Sequence, residues 1–335
     1  MRNASWKGPS VKEVSALSGC GLATVDRVLN NRPGVSDKTR TKVLAAFKKL
    51  QYAHGTQTEN LRIHLFCESG ASFNAAMSEA CCEANRRVAG VSISEDYVST
   101  NLLDPHAFAC DIEERGLECD GVIVVAREHP AINRAIRRLE VEGVPVVCLT
   151  TDLPSSRRSA YVGNDQYAAG STAAFLIGRG LSRQSHKILL VMSEAFRCQQ
   201  EREMGFRRVL RSDFPHLGIE DRMVSDDRPE HTRDQLTAYF ESNGVPAAVY
   251  NVAGANRGVA QALEAFGVAV DTVFVGHELT PQSRGLLETG VMDFVLSHDF
   301  AAELSAAATF IGNHVRGVRS TPPNTRILIF SRFNI

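Results

Sequence analysis

The sequence predicts a small all-helical head followed by a large α/β body of two doubly wound lobes. Three observations carry this. Charge is split: residues 1–52 hold ten Lys/Arg against three Asp/Glu, while the remainder holds 27 against 35, although the whole chain nets −1. The first fifty residues show three short helical patterns separated by Gly- and Pro-bearing breaks. From residue 62 onward, apolar runs of strand length alternate with helical patterns, as in parallel sheets covered by helices. The chain has 335 residues, enough for two or three domains. A basic head on an acidic remainder points to an anionic partner for the head alone; a basic arm with no specific partner is the alternative.

Taken in order, Ser10 and Glu13 of Ser-Val-Lys-Glu form a capping box for the first helix. Val11, Val14 and Leu17 make its apolar stripe, and Gly19-Cys20-Gly21 ends it. A second helix runs from Leu22 to about Asn30 with Val25, Val28 and Leu29 inward, followed by the turn Asn31-Arg32-Pro33-Gly34. Ser36 caps a third, with Val43, Leu44, Phe47 and Leu50 as its apolar face. Three short helices with a tight, Gly-containing first turn make a helix-turn-helix unit. In that geometry the second helix enters the DNA major groove. Leu22 and Ala23 then offer apolar contact to a thymine methyl, and Arg27 suits a guanine edge, with a solvated helix charge as its alternative. Thr24, Asn30, Ser36, Thr39 and Arg40 suit phosphate contacts, and Ser10 is grouped with them. For Thr24 and Thr39 a local cap or backbone bond is an equal alternative.

In the body, strands are expected at 63–67, 91–93, 121–126, 144–149, 161–162, 188–192, 247–252, 273–275, 294–296 and 327–330. Helices fill the gaps, for instance over 74–88, 130–142, 168–177, 202–210 and 301–315. So many strands imply two similar lobes, with ligands bound in the cleft outside the strands' carboxyl ends. The chain is expected to cross between lobes near 163–165, 295–299 and 323–326. That places about 62–164 and 297–324 in lobe 1 and 165–296 and 325–335 in lobe 2, with a head of 1–52 and a linker of 53–61.

Asp165, Asn251, Glu278 and Asp299 directly follow apolar strands. With Arg202 they form a set of carboxylate, amide and guanidinium groups fit for a polyhydroxylated ligand, whose hydroxyls both donate and accept. Phe73 and Asn74 follow the first strand, where an aromatic ring can stack on an apolar sugar face. His298 sits beside Asp299 at the late crossover. The bland alternatives are a helix cap for Asp165, a surface ion pair for Arg202 and a core position for Phe73.

Eight cysteines, none in a CxxC pair, point to reduced, mostly buried thiols and no zinc framework. No apolar run approaches a membrane span and the N-terminus lacks an apolar signal core, so a cytoplasmic location is expected. No GxSxG, Walker-type loop, HExxH or GxGxxG occurs, so neither an enzyme nor a metal or cofactor is expected. A transport-type binding protein would need a signal peptide and no helix-turn-helix. A third reading keeps DNA binding and makes the body a dimerisation scaffold.

The run from Ser10 to Tyr52 closely resembles the headpiece of the lactose-repressor (LacI) family. The segments Ala23-Thr24-Val25-x-Arg27-Val28-Leu29-Asn30 and Val35-Ser36-x-x-Thr39-Arg40 carry that resemblance. The body resembles a type I periplasmic-binding-protein-like sensor, marked by Tyr161-Val162-Gly163-Asn164-Asp165-x-x-Ala168-Ala169-Gly170 and Phe274-Val275-Gly276-His277-Glu278. The resemblance implies a transcriptional regulator, a repressor, binding pseudo-palindromic double-stranded operator DNA as a homodimer or dimer of dimers. It also implies a sugar-like effector in the cleft, with Arg202 at the position that grips a hydroxyl pair. Departures are specific. Asp26 replaces a phosphate-contacting Ser, and Gly21 a capping Ser. Asn251 is followed by Val rather than Asp, Glu278 is a methylene longer than the usual Asp, and His298 stands where Gln or Asn is common. Residues 53–62 look too short and polar for the family's hinge helix, so coupling is expected to run through linker geometry. Leu61 either replaces the helix's minor-groove wedge or begins the first strand.

Overall fold

The computed structural model describes residues 9–53, 60–193, 196–323 and 325–335. Most of the expected linker, 54–59, and residue 324 of the third expected crossover lie outside the described residues.

The head consists of α1 (Val11–Ser18), α2 (Leu22–Leu29) and α3 (Asp37–Ala53). Both halves of the Ser10–Glu13 capping box are present. Gly19 ends α1 at φ 62°, a left-handed conformation that costs glycine nothing. Val14, Val25, Val28, Val43 and Ala46 form the buried core, with Phe47 and Leu50 packed against it. Two leucines expected inside are not: Leu17 and Leu44 are 47% and 46% exposed. The short helices meet closely enough that small side chains fill the space between them, and both leucines turn outward toward lobe 1.

Lobe 1 holds the parallel strands β1 (Leu61–Ser69), β2 (Val91–Ser99), β3 (Gly121–Val125), β4 (Val146–Leu149) and β5 (Ala160–Val162), in the order β2-β1-β3-β4-β5. Lobe 2 holds β6 (His186–Met192), β7 (Leu217–Val224), β8 (Ala248–Asn251), β9 (Val273–His277), β10 (Phe294–Ser297) and β11 (Leu328–Phe330). Its order is β7-β6-β8-β9-β10-β11, the same winding with one antiparallel strand, β11, added at the edge. Strand β7 was not expected. Its sequence, Leu-Gly-Ile-Glu-Asp-Arg-Met-Val, carries charges where a central strand would be apolar, and it lies at the sheet edge where charges are tolerated. Leu61 pairs with Val91 and is buried, so it begins the first strand and is no wedge.

Helices cover both sheets: α4 (Ala71–Arg87), α5 (Pro105–Gly116) and α6 (Pro130–Val141) in lobe 1, and α7 (Gln166–Gly180), α8 (Arg197–Asp213), α9 (Pro229–Asn243), α10 (Asn256–Ala265) and α11 (Pro281–Thr289) in lobe 2. The chain then returns, because α12 (Phe300–Val315) buries Leu304, Ala307, Ala308 and Ile311 in the lobe 1 core beside Ile63 and Ile123. Helices α7 and α8 touch backbone to backbone. A Cβ at Gly170 would collide with the Arg202 carbonyl, and one at Gly205 with the Tyr167 carbonyl. That contact sets Arg202 beneath the cleft.

Candidate functional site

In the head, α2 presents its N-terminal residues outward. Leu22, Ala23 and Arg27 are exposed, and the Arg27 guanidinium makes no hydrogen bond or ion pair among the described residues. Gly21 leaves the start of α2 without a side-chain cap, so its first N–H groups are open to a phosphate. The Asp26 departure has a structural account. Its carboxylate accepts from Arg32 at 3.0 Å and from Asn30 Nδ2 at 2.8 Å, which matches the charge and ties the helix end to the turn. Asn30 is thereby engaged within the head. Arg40 donates to Asn31 Oδ1 at 2.9 Å and to the Arg32 carbonyl, also bracing the turn. Ser36 Oγ receives the Thr39 N–H and meets the Thr39 hydroxyl, so this pair caps α3 locally. Ser10 is likewise the α1 cap, while partly buried Thr24 stands beside exposed Ala23.

In the body, a cavity of about 190 Å³ opens between the lobes. It lies at the carboxyl ends of β1 and β3 (Ser69, Val125) and beyond those of β6 (Phe196) and β8 (Val252, Ala253), where the strand order reverses in each sheet. Of the sequence-predicted residues, Phe73, Arg202 and Glu278 line it. Phe73 also packs edge-on against Phe300 at 5.1 Å, so it serves both core and cleft. Arg202 is buried and makes five hydrogen bonds for its five N–H groups. Nε donates to Gln166 at 2.8 Å, Nη1 to the Val252 carbonyl at 2.9 Å, and both Nη to Glu278 Oε1 at 3.3 and 3.4 Å.

His298 does not line the cavity but stands behind Arg202. Its Nε2 faces the donors Arg202 Nη2 at 3.3 Å and Gln166 Nε2 at 3.4 Å, so it accepts. Its Nδ1 then carries the proton and donates to buried Glu303 at 2.9 Å. The chain Glu303–His298–Arg202–Glu278 therefore runs from lobe 1 into lobe 2 through the crossover. Burial pushes the Glu278 carboxyl above its ordinary range, against the pull of Arg202 and His298.

The remaining four predicted residues lie outside the cavity lining. Asp165 caps α7 and Asp299 caps α12, each accepting a backbone N–H at 2.9 Å. Asn251 is buried and holds its own loop through Ala253 and Asn256. Asn74 donates to the Ser69 carbonyl and accepts from Cys67 Sγ.

Sequence reasoning missed Thr150, Thr151, Asp227, Arg257, Gln199 and Gln282, all of which line the cavity. Thr150 and Thr151 follow a strand directly, the same signal that singled out Glu278; nothing local distinguished the others. Three of the wall residues, Thr150, Asp227 and Glu278, have φ of 61–62°, a left-handed backbone that costs a non-glycine residue about 1–3 kcal/mol. Burial raises the Asp227 carboxyl to about 6, although hydrogen bonds from Ser193 and the Gly254 N–H favour its charged form. The Ser72 hydroxyl meets Gln282 Oε1 at 3.3 Å, joining the lobes across the cleft mouth.

A second cavity, about 500 Å³, lies between the head and lobe 1, with Leu17, Leu44 and Ala45 on one side and Gly143, Val144 and His314 on the other. The head therefore has a direct face toward the sensor apart from the linker. Of the cysteines, Cys67, Cys81, Cys148 and Cys198 are buried, whereas Cys82 and Cys110 are exposed, so burial holds for half of the set.

Residues 10–54 match the family described as bacterial regulatory proteins, lacI family, and residues 91–318 the periplasmic binding protein domain. The chain is 21% identical over 207 residues to the probable HTH-type transcriptional repressor ExuR of Bacillus subtilis, spanning 60% of each protein. It is 28% identical over 181 residues to the HTH-type transcriptional regulator GntR of Escherichia coli, spanning 52% of this chain and 53% of that one. The chain thus spans less than two thirds of the length of these relatives. Among solved structures, the glucose-galactose binding protein GanP from Geobacillus stearothermophilus superposes with a TM-score of 0.73 at 20% identity, covering 83% of this chain and 99% of that one. A solute binding protein from Burkholderia graminis in complex with D-arabinose gives 0.74 at 18% identity, covering 83% and 97%. At these identities the likeness shows the fold alone.

Proposed function

The chain belongs to the lacI family of bacterial regulatory proteins, with a periplasmic binding protein domain as its body, and on that premise we propose that it is a cytoplasmic DNA-binding repressor that senses a small polyhydroxylated ligand. The observation that carries this reading is the pairing of two unsatisfied surfaces on one chain. One is an exposed, uncapped α2 on a basic head, bearing Arg27, whose guanidinium has no partner among the described residues. The other is a polar cleft at the switch points of two sheets. A homodimer places two heads on a pseudo-palindromic operator, with α2 in successive major grooves. Ligand closes the lobes around Arg202 and Glu278, moving lobe 1 relative to the head that faces it. By linkage, the ligand then changes DNA affinity by the factor by which DNA changes ligand affinity.

The test selects DNA sites from a random library with the full-length protein, then titrates the selected site with and without sugars and polyols that raise its melting temperature. The expected result is a two-fold-symmetric site whose affinity moves with ligand. Equal binding of all sequences would sink the proposal.

A further inference from the structure

Beyond the residues expected from sequence, the cleft collects donors that the protein itself leaves unused. We propose that the effector carries an anionic group, a carboxylate or phosphate, on its polyhydroxylated skeleton, received by the N-termini of α4 and α10 with Arg257, while Thr150 binds an oxygen of the skeleton. This rests on the sensing function proposed above and specifies its ligand.

The first support is the pattern of helix caps. In the body, α5, α6, α7, α11 and α12 begin under side-chain caps from Asp104, His129, Asp165, Thr280 and Asp299. Helices α4, α8, α9 and α10 begin at Gly70, Phe196, Arg228 and Ala255, whose own side chains form no cap. Each of these four puts a first-turn residue into the cavity wall: Ala71, Cys198, Pro229 and Arg257. Thr151 Oγ1 accepts the Cys198 N–H of α8 at 3.4 Å, and α11, which brings Gln282 to the same wall, is capped by Thr280. At α4 and α10 no side chain among the described residues closes the first turn, and there open N–H groups and the positive helix end favour an anion. The termini of α4 and α10 approach one another, because Asp227 lies within contact distance of both Gly70 and Gly254.

The second support is independent of the helices. Thr150 is 3% exposed, lines the same cavity, and its hydroxyl has no partner among the described residues, while its backbone N–H and carbonyl are fully engaged. A buried hydroxyl left unpaired in a cavity wall calls for a partner, and a ligand oxygen held against that wall would supply one.

Charge points the same way. Arg202 spends its guanidinium on Glu278 and its neighbours. The Arg257 guanidinium has no hydrogen bond or ion pair among the described residues and is placed to meet a ligand charge. The opposing carboxylate, Asp227, already accepts the Gly254 N–H. Arg257, Asp227, Thr150 and Ala71 at the start of α4 all line this one cavity of about 190 Å³.

The experiment is calorimetry on the full-length protein with matched probes: D-glucose, D-gluconate, D-glucuronate and D-glucose 6-phosphate. The expected result is that an anionic probe binds at least about tenfold tighter than glucose, and that Arg257→Gln removes this preference without lowering the melting temperature of the unliganded protein. Thr150→Val should weaken every probe that binds. A carboxylate preference over the phosphate, or the reverse, identifies the anion. Glucose binding as well as its acids would overturn the anion proposal and leave sensing intact. An anion preference that survives Arg257→Gln would overturn the assignment of that residue. Silence from all four probes, with neutral polyols also silent, would overturn both readings.

Discussion

In the head, α1 and α3 start under the chain's own side chains, Ser10 with Glu13 and Ser36 with Thr39, and Asp26, Arg32 and Arg40 knit the turn between α2 and α3. In the cleft, α4 and α10 start uncapped, a buried Thr150 hydroxyl has no partner among the described residues, and three non-glycine residues hold left-handed backbone. The head is locally satisfied and keeps its unsatisfied groups on one outer face, around Gly21 and Arg27. The cleft concentrates strain and open donors in its interior. The difference bears on where the proposed partners would act: DNA would meet a finished surface, whereas the proposed ligand would complete an unfinished one. Stability given up inside the cleft would then be recovered on ligand binding.

The contrast can be broken or sharpened by substitution. The largest effect is expected from Arg202→Ala. It leaves Glu278 buried without its cation and should cost about 3–5 kcal/mol in denaturant unfolding, with loss of ligand response. A loss below about 1 kcal/mol would mean the network is not a structural hub. Arg27→Ala should leave unfolding unchanged and cost about 1–3 kcal/mol at one operator base pair, read by fluorescence anisotropy across single-base variants. A uniform loss over all positions would assign Arg27 to phosphate instead.

Asp227→Asn addresses pH. A carboxyl raised to about 6 in the folded state contributes stability below its unfolded pKa and loses it as pH rises through 6. The variant should therefore gain on the parent between pH 4 and 7, by about 1–3 kcal/mol, seen as a melting-temperature difference that grows with pH. A difference constant in pH would contradict this. Smallest, Thr150→Gly should relieve the left-handed strain and stabilise the unliganded protein by about 1 kcal/mol while weakening ligand. The equivalent change at Asn31, left-handed in the head turn, should gain less, because asparagine tolerates that conformation.

How much was legible follows from the range over which each signal acts. Helix starts and strands were readable because capping and periodicity operate over a few residues, as at Ser10–Glu13 and along Ile63–Cys67. The same locality misled the search for ligand contacts. Asp165 and Asp299 followed strands as a contact should, yet each turns back to cap the helix it precedes. Strand β7 was illegible because an edge position relaxes the apolar pattern by which strands are found.

By itself, then, the sequence determined the division into basic head and acidic body, the second helix of the head with Arg27, and the alternation that winds two sheets. Only the tertiary structure decided which polar groups share the cleft. Arg202 meets Glu278 across 76 residues of chain, and Ser72 meets Gln282 across 210. Such pairs depend on how the lobes close and where the chain crosses back, not on any pattern between neighbours. Thr150, Asp227 and Arg257 became visible only once that folding had placed them around one cavity.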